Sequence, residues 1–204
     1  MHILETSRLI LRPPSHSDDL LLHGLHSDPF VVNAIRDGVY PTIEQSKAAL
    51  IQFINHWKRN SFGLWMVFVK DEGQTRRFAG YSGLICSGTY PPEDANHVAE
   101  DPNNVEMVTC LHLAASGEGI AVEAGRAVVQ FAFENLKLDR VNGFIRPNNT
   151  RSIIKNMKLG FVYVGDVTYK NSRRRLHLEV SPMTAVKPDN VLIYSCRYPE
   201  NTIN

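Results

Sequence analysis

The sequence predicts a mixed α/β domain built around one twisted sheet, and three stretches carry that expectation. Val105 to Leu113 is an apolar run of strand character, followed by small residues with two glycines, Ala114 to Ala121, and by helical spacing from Val122. Phe62 to Val69 and Phe78 to Ile85 are aromatic and β-branched runs separated by the turn Asp71-Glu72-Gly73-Gln74, which reads as a hairpin. Val141 to Ile145 is a further strand, and Pro147-Asn148-Asn149-Thr150 then caps a helix closed by Gly160.

The remaining elements follow from the same rules. Ser7 to Arg12 alternates and stops at Pro13-Pro14, the signature of an opening strand. Ser17-Asp18-Asp19 starts a helix carrying Leu20, Leu21, Leu22 and Leu25, and Ser27-Asp28-Pro29 restarts the chain into a short second helix ended by Asp37-Gly38. Pro41-Thr42-Ile43-Glu44 opens a long helix with Phe53, Ile54 and Trp57 at helical spacing and Lys58-Arg59 at its C-terminal end. Trp57 and Trp65 are expected in the core. Ser87 to Asn104 is a long acidic loop. Val122, Val129, Ala132, Phe133 and Leu136 line one helix face, and Ile153, Ile154, Met157 and Leu159 another. Phe161 to Val164 is a strand, Tyr169 to Val180 is hairpin-like and basic, and Asp189 to Ser195 is the last strand. The expected order is β-α-α-α-β-β-β-α-β-α-β-β, with about seven strands flanked by helices.

At 204 residues and 43% apolar composition, the chain is expected to form one domain over 1–204 with a full core. It has no 18-residue apolar run, and its first residues lack the apolar stretch of a signal peptide, so a cytoplasmic protein without membrane contact is expected. Cys86, Cys110 and Cys196 are odd in number and far apart, without zinc-like spacing, so no metal is expected. The net charge of +1 is unevenly spread. Between Phe78 and Gly125 there are seven acids and no Lys or Arg, whereas eleven Lys or Arg fall between Arg126 and Arg175. Either these are solvated faces or they mark two ligand environments, one for a cation and one for phosphates. Arg173-Arg174-Arg175 reads as a solvated hairpin face. Exposed aromatics do not interleave with the basic residues, which argues against nucleic acid.

Chemistry concentrates at the stretch from Val105 to Arg126. A strand, a glycine turn and a helix N-terminus make an anion site, because the first helical turn offers unpaired N–H groups at the positive end of the helix dipole. The turn lacks the Gly-Lys-Ser/Thr ending of phosphate-loop nucleotidases.

Three motifs, in this order, resemble the GNAT superfamily of N-acetyltransferases, and in particular its RimJ/RimL-like branch of ribosomal-protein-alanine acetyltransferases. They are Leu4-Glu5-Thr6-Ser7-Arg8-Leu9-Ile10-Leu11-Arg12-Pro13; Glu106 with Gly117-Glu118-Gly119-Ile120-Ala121-Val122-Glu123-Ala124; and Pro147-Asn148-Asn149-Thr150-Arg151-Ser152 through Lys158-Leu159-Gly160-Phe161. The resemblance implies a GNAT-like domain whose central strands splay to form a cleft for coenzyme A, with the binding core at about 105–165. It implies acetyl-CoA as cofactor, CoA as product, and transfer to a primary amine of a protein N-terminus or small molecule. Backbone groups of Leu111, His112 and Leu113 would pair with the pantetheine arm. Ser116, Gly117, Glu118, Gly119, Ile120 and Ala121 would cap the pyrophosphate, and Asn149, Ser152 and Lys155 would border the cofactor.

The chain departs from the family pattern twice. Ser116 and Glu118 stand where Gln or Arg and often Lys are usual, so weakened cofactor binding is expected, with Arg151, Lys155 or Lys158 supplying charge from elsewhere. Asn156 stands where many members of the superfamily place a Tyr acid. An alternative reading is therefore an acyl-CoA-binding sensor or interaction module with little or no turnover.

Acetyl transfer needs a base for the ammonium and a proton for the departing thiolate. Glu106, a carboxylate in an apolar strand, is the candidate base, or else a solvated residue at the strand's mouth. Ser152 is the candidate acid, or else a residue of the helix cap. Tyr194 is the secondary acid, and His112 is expected to contribute its backbone. Cys110, mid-strand, is not expected to be a nucleophile. Glu93, Asp94, Glu100 and Asp101 would favour a cationic acceptor. Both a monomer and a homodimer fit the sequence.

Overall fold

The computed structural model describes residues 2–36, 38–70, 76–87, 101–169, 173–185 and 192–195. After two short strands come three helices. α1 (Asp19–His26) follows a 3-10 turn. α2 (Pro29–Ile35) is capped by Asp28, whose Oδ1 accepts from the Phe30 N–H at 2.9 Å, with Pro29 at its first position. α3 (Ile43–Asn60) opens on a reciprocal pair: Thr42 Oγ1 accepts from the Gln45 N–H, and Gln45 Oε1 accepts from the Thr42 N–H. α2 and α3 begin where the sequence places a capping side chain before an apolar spacing, whereas the Asp18 carboxylate ahead of α1 makes no cap bond and accepts from Arg12 and the Ser15 N–H instead.

One sheet holds all nine strands found among the described residues. They are β1 (His2–Glu5), β2 (Leu9–Arg12), β3 (Leu64–Lys70), β4 (Arg76–Ser87), β5 (Asp101–Leu111), β6 (Val141–Ile145), β7 (Val162–Tyr169), β8 (Arg173–Val180) and β9 (Leu192–Ser195). Their spatial order is β7-β8-β6-β5-β4-β3-β2-β1-β9. Every pairing is antiparallel except β5 with β6, where α4 (Ile120–Glu134) makes the crossover. α5 (Thr150–Lys158) joins β6 to β7.

The count exceeds the expected seven for local reasons. The opening run divides into β1 and β2 because Thr6 turns the chain: its N–H bonds the Leu9 carbonyl, and its hydroxyl accepts from the Leu9 N–H. The strand expected at Phe161 to Val164 continues to Tyr169 and pairs with β8, which lies between β7 and β6. The last strand then has no place beside β6 and instead pairs with β1 at the opposite edge. The Asp71–Gln74 turn falls outside the described residues.

Two apolar layers cover the sheet. On one face α4 brings Val128, Phe131 and Ala132 against Leu9, Trp65, Leu84 and Met107. Trp65 meets Phe131 and Trp57 edge to face, at 5.2 and 4.8 Å between ring centroids, so both tryptophans are in the core as expected. On the other face α1, α2 and α3 pack Leu22, Leu25, Val31, Leu50, Phe53 and Ile54 against Leu64, Tyr81, Ile85 and Cys110. Alternation along β5 turns Val105 and Met107 to the first layer, and Val108 and Cys110 to the second.

β4 carries one extra residue at Ala79, where its register with β3 shifts. Gly80 beside it has φ +138°, and a Cβ there would meet the Cys110 carbonyl oxygen at 2.2 Å and Leu111 Cα at 2.7 Å. The end of β5 rests on this backbone-to-backbone approach. Gly80→Ala is expected to cost about 3 kcal/mol in chemical denaturation. Gly24→Ala, at an exposed helical position of α1 with nothing within 4 Å of the added carbon, should be neutral or stabilising by about 0.5 kcal/mol.

Candidate functional site

β5 and β6 run parallel but share a single registered pair, Glu106 with Asn142. Beyond it the strands separate, which leaves a cleft walled by the C-terminal half of β5 on one side and by β6 and α5 on the other. The His112 N–H bonds the Ala79 carbonyl at 2.9 Å, so at that position the backbone of β5 faces β4. Alternation in an antiparallel ladder then turns the backbone groups of Leu111 and Thr109 the other way, into the cleft. Of the three residues expected to present backbone to a cofactor, Leu111 is so placed. His112 is not, because its N–H is engaged by Ala79 and its carbonyl accepts from Ala115. The Leu113 N–H points to Asp28 Oδ2 at 3.3 Å.

Asp28 ties this strand end to α2. Besides capping the helix it accepts from His112 Nδ1 at 3.0 Å. Burial alone would raise the Asp28 carboxyl; the bonds from His112, Phe30 and Leu113 outweigh it and hold the group below its ordinary value. His112 is therefore a packed residue oriented by a carboxylate.

The turn after β5 has the geometry of an anion nest. Gly117 and Gly119 have φ of +88° and +77°, and no side chain caps α4. The N–H groups of residues 117–121 find no acceptor among the described residues. A Cβ on Gly117 would face open space. These N–H groups point from the positive end of a 15-residue helix.

The sequence suggested that this turn lacks cations, yet the fold brings two to it. Arg8 donates from Nη1 to the Glu118 carbonyl at 2.9 Å, and Arg77 lies 3.7 Å from the Glu118 carboxylate. Arg8 is itself fixed by Glu123 in the first turn of α4, which accepts from Arg8 Nε at 2.6 Å, the Arg8 N–H at 3.1 Å and the Thr6 hydroxyl. Burial would raise the Glu123 carboxyl, but the Thr6 and Arg8 hydrogen bonds and the Arg8 charge hold it below its ordinary value. Arg8 and Glu123 both stood in the motifs quoted above. Only the third dimension pairs residues 115 positions apart.

α5 forms the other wall. Asn149 caps it, its Oδ1 accepting from the Ser152 N–H at 3.1 Å, so the side-chain oxygen expected to meet a cofactor serves the helix and the Nδ2 group remains. The Ser152 hydroxyl is half-buried. Lys155 crosses the cleft: its Nζ donates to Thr109 Oγ1 on β5 at 3.1 Å, and Thr109 in turn meets the Ser82 hydroxyl at 3.0 Å. Burial pushes the Lys155 ammonium down to about 8. Asn156 is buried beside Gly143 of β6, where an added Cβ would lie 2.7 Å from Nδ2, and its Oδ1 has no partner among the described residues. A buried acceptor without a donor costs about 1–3 kcal/mol.

Glu106 is 4% exposed, so it is not a solvated residue at the strand's mouth. By alternation it lies on the α1–α3 face of β5. Beside it runs a polar network the sequence did not reveal. Asn142 donates to Asn104 Oδ1 at 2.7 Å and to the Val105 carbonyl at 3.3 Å, and His177 Nε2 on β8 meets Asn142 Oδ1 at 2.8 Å. The His177 ring stacks on Phe144 at 5.0 Å. His177 lies in the basic hairpin, 35 residues from Asn142, and no local spacing links the two.

Tyr194 is not brought to the site. β9 lies at the edge beyond β1, five strands from β5, which at about 4.8 Å per strand is roughly 24 Å away. The reason is that β8 takes the place beside β6. Cys110 is buried in β5 with its thiol pushed up to about 12 by burial, in keeping with an inert residue. Glu93, Asp94 and Glu100 of the acidic loop lie outside the described residues, as do Cys196 and the side chains of Asp101 and Arg173 to Arg175. Among the described residues no group of three or more His, Cys, Asp or Glu could hold a metal ion, and no helix is long and apolar enough to cross a membrane.

Glu123 is the group on which the turn's geometry can be tested. Its folded carboxyl is depressed, so its stabilising contribution is complete above the ordinary carboxylate value of 4.5 and is lost as pH falls through the folded value. Glu123→Gln should lower stability by about 2 kcal/mol at pH 7. The difference from the native chain should shrink in urea titrations run at progressively lower pH below 4.5.

Known proteins share this fold. The family described as the acetyltransferase (GNAT) domain matches residues 8–162. The N-acetyltransferase p20 of Bacillus licheniformis, itself uncharacterized, is 27% identical over 180 residues, covering 86% of this chain and 92% of the relative. A GNAT-family acetyltransferase from Bacillus anthracis superposes with a TM-score of 0.68 at 19% identity, over 88% of this chain and 98% of that one. The aminoglycoside acetyltransferase AAC(6')-Ib, solved with coenzyme A, gives 0.68 at 17% identity over 86% and 96%. A Vibrio cholerae protein named as a ribosomal-protein-serine acetyltransferase gives 0.65 at 16% over 88% and 97%. With a family match running from the loop before β2 to the start of β7, the chain belongs to the GNAT acetyltransferase family and is an acyltransferase.

Proposed function

We propose that this chain transfers the acetyl group of acetyl-CoA directly to a primary amine, of a protein N-terminus or a small molecule, in the manner of the RimJ/RimL-like branch. The observation that carries the reading is the open wall of β5 leading to five N–H groups, at residues 117–121, that have no acceptor among the described residues. An extended amide chain adds to such a wall as a strand would, and a pyrophosphate suits such a nest. The solved aminoglycoside enzyme holds coenzyme A on the same fold, and the Vibrio cholerae protein bears the name of a ribosomal-protein acetyltransferase; both support the reading.

The residues present fit the cofactor. The N–H groups of 117–121 would hold the pyrophosphate, with Arg8 and Arg77 offsetting Glu118. The backbone of Leu111 and Thr109 would align the pantetheine arm, and the buried Asn156 Oδ1 would accept an amide N–H from it. When bound, acetyl-CoA supplies an acetyl group activated as a thioester. Glu106 takes a proton from the acceptor ammonium, directly or through water, leaving a neutral amine. The hydroxyl of Ser152 or the ammonium of Lys155 donates a proton to the departing sulfur. The lowered Lys155 ammonium is still charged near neutral pH but gives up its proton more readily than an ordinary lysine. The cations at the turn weaken the case for a module that binds without turnover.

A panel of primary amines assayed for CoA release tests the reading. On the best acceptor, Glu106→Gln should lower kcat/KM by about 10²-fold or more with little change in acetyl-CoA affinity. Full activity of that variant removes Glu106 as the base, and no release with any amine removes the reading. Lys155 is testable through stability alone. Its folded value of about 8 is below the ordinary 10.5, so the cost of burying the ammonium is fully present below pH 8 and is relieved as pH rises toward 10.5. Lys155→Met should therefore melt above the native chain at pH 7, with the gap closing between pH 8 and 10.5.

A further inference from the structure

Glu106 and Asn142 are a registered pair on parallel strands, so their side chains share a face of the sheet. Phe144 lies two residues beyond Asn142 on that face and is registered with His177 of β8. All four therefore stand on the side that carries α1, α2 and α3. Those helices cover β3, β4 and β5, where Leu64, Tyr81, Ile85 and Cys110 lie beneath them. No described residue of β6 or β8 belongs to that layer. Phe144 and His177 are half-buried and stack on each other, their ring centroids 5.0 Å apart. Gly165 of β7 is registered with His177, and a Cβ there would meet nothing within 4 Å. The face beside Glu106 is thus a platform floored by two aromatic rings and left uncovered by the helices.

The hydrogen bonds around Asn142 fix the state of the imidazole on this platform. Asn142 Nδ2 spends both its hydrogens, on Asn104 Oδ1 at 2.7 Å and on the Val105 carbonyl at 3.3 Å. The Val105 carbonyl can only accept, so it settles which end of the amide is Nδ2. Asn142 Oδ1 therefore faces His177, and His177 Nε2 must carry a hydrogen to meet it at 2.8 Å. In a neutral imidazole the other nitrogen then holds a bare lone pair. No donor among the described residues reaches His177 Nδ1. Glu179, registered with Asn142 on the same face, is engaged by Arg140 at 3.7 Å. His177 Nδ1 is thus an oriented, unspent acceptor two strands from Glu106.

We propose that His177 is a specificity-determining residue for the amine acceptor: its Nδ1 accepts a hydrogen bond from a second donor group of an amine whose reacting nitrogen lies at Glu106. The proposal rests on the N-acetyltransferase reading above. It narrows the acceptor to primary amines that carry a hydrogen-bond donor about 10 Å from the reacting nitrogen, the span of two strand spacings. The connecting atoms lie over Asn142 and the Phe144 ring, and the space at Gly165 admits the donor group beside His177. Asn142 acts through His177, since its carbonyl oxygen holds the ring in the tautomer that accepts at Nδ1.

Linear amino alcohols of increasing length, each paired with its methyl ether, test the assignment in a CoA-release assay on the full chain. The two members of a pair share the amine and the chain, and only the alcohol can donate. The native chain should favour the alcohol by about fivefold in KM, the scale of one neutral hydrogen bond, with kcat unchanged. The preference should peak where nitrogen and oxygen are about 10 Å apart. His177→Phe keeps a ring against Phe144 and removes Nδ1, so it should abolish the preference while turnover of the ethers persists. Gly165→Leu leaves the Asn142 network intact and fills the space beside His177, and it should abolish the preference as well. Equal KM for alcohol and ether at every length overturns the proposal, as does a preference that survives both substitutions. Absence of CoA release with every amine overturns the acetyltransferase reading itself, a result distinct from turnover without discrimination.

Discussion

The single pairing of Glu106 with Asn142 is the constraint on which the site depends. Two neighbouring parallel strands that stayed in register would bond all the backbone groups facing each other and leave none of them for a ligand. Here β6 is held instead by five registered pairs to β8 on its far side, while β5 is held by β4 through the register from Gly80 to Cys86. Each strand is satisfied on its outer edge, so the inner edges can diverge without unravelling the sheet. The same pair marks the cleft's floor, where the buried Glu106 lies beside the strand that carries the Asn104, Asn142 and His177 network.

A second constraint acts from the opposite side of the sheet. The glycine turn has two residues at positive φ and no side-chain cap, so little in its own sequence holds it in shape. Glu123 provides the hold by fastening the first turn of α4 to Thr6 and Arg8. Arg8 then reaches the Glu118 carbonyl. The opening strands thus act on the anion nest from more than 100 residues away in the chain, about the 110 that separate Arg8 from Glu118, and the nest gains a fixed cation it does not encode locally. This explains why a motif at the start of the chain and one at its middle occur together.

Most of the fold was legible because its signals are local: Asp28 and Thr42 before their helices, glycines at the turn, apolar runs for β3 to β6. The sheet's order was not. Nothing in Leu192 to Ser195 distinguishes a strand beside β6 from one beside β1; that was decided by the β7–β8 hairpin occupying the inner place. Hence Tyr194, a reasonable acid by type, stands far from the cleft. Glu106 and the glycine turn were legible for the same reason as the strands, since a charge in an apolar run and two glycines before a helix are anomalies visible in one dimension. His177, Arg8 and Lys155 were not legible as partners, because each acts through a residue 35 to 115 positions away.

The two faces of β5 divide the chemistry. Thr109 and Lys155 belong with the α4 side, where the nest lies, and Glu106 with the side of α1, α2 and α3. A donor held along the cleft and an acceptor arriving over Glu106 would then meet through the gap between strands, each keeping its own face. That arrangement has no need of a protein nucleophile to carry the acetyl group between them. The one cysteine thiol on β5 is consistent with this: Cys110 is buried, its thiol pushed up to about 12, and it lies in the core layer under α1 and α3 with no opening to the cleft wall formed by α5. On the function proposed above, the strands that separate the two reactants would also hold them on either side of a single opening, which is the arrangement direct transfer needs.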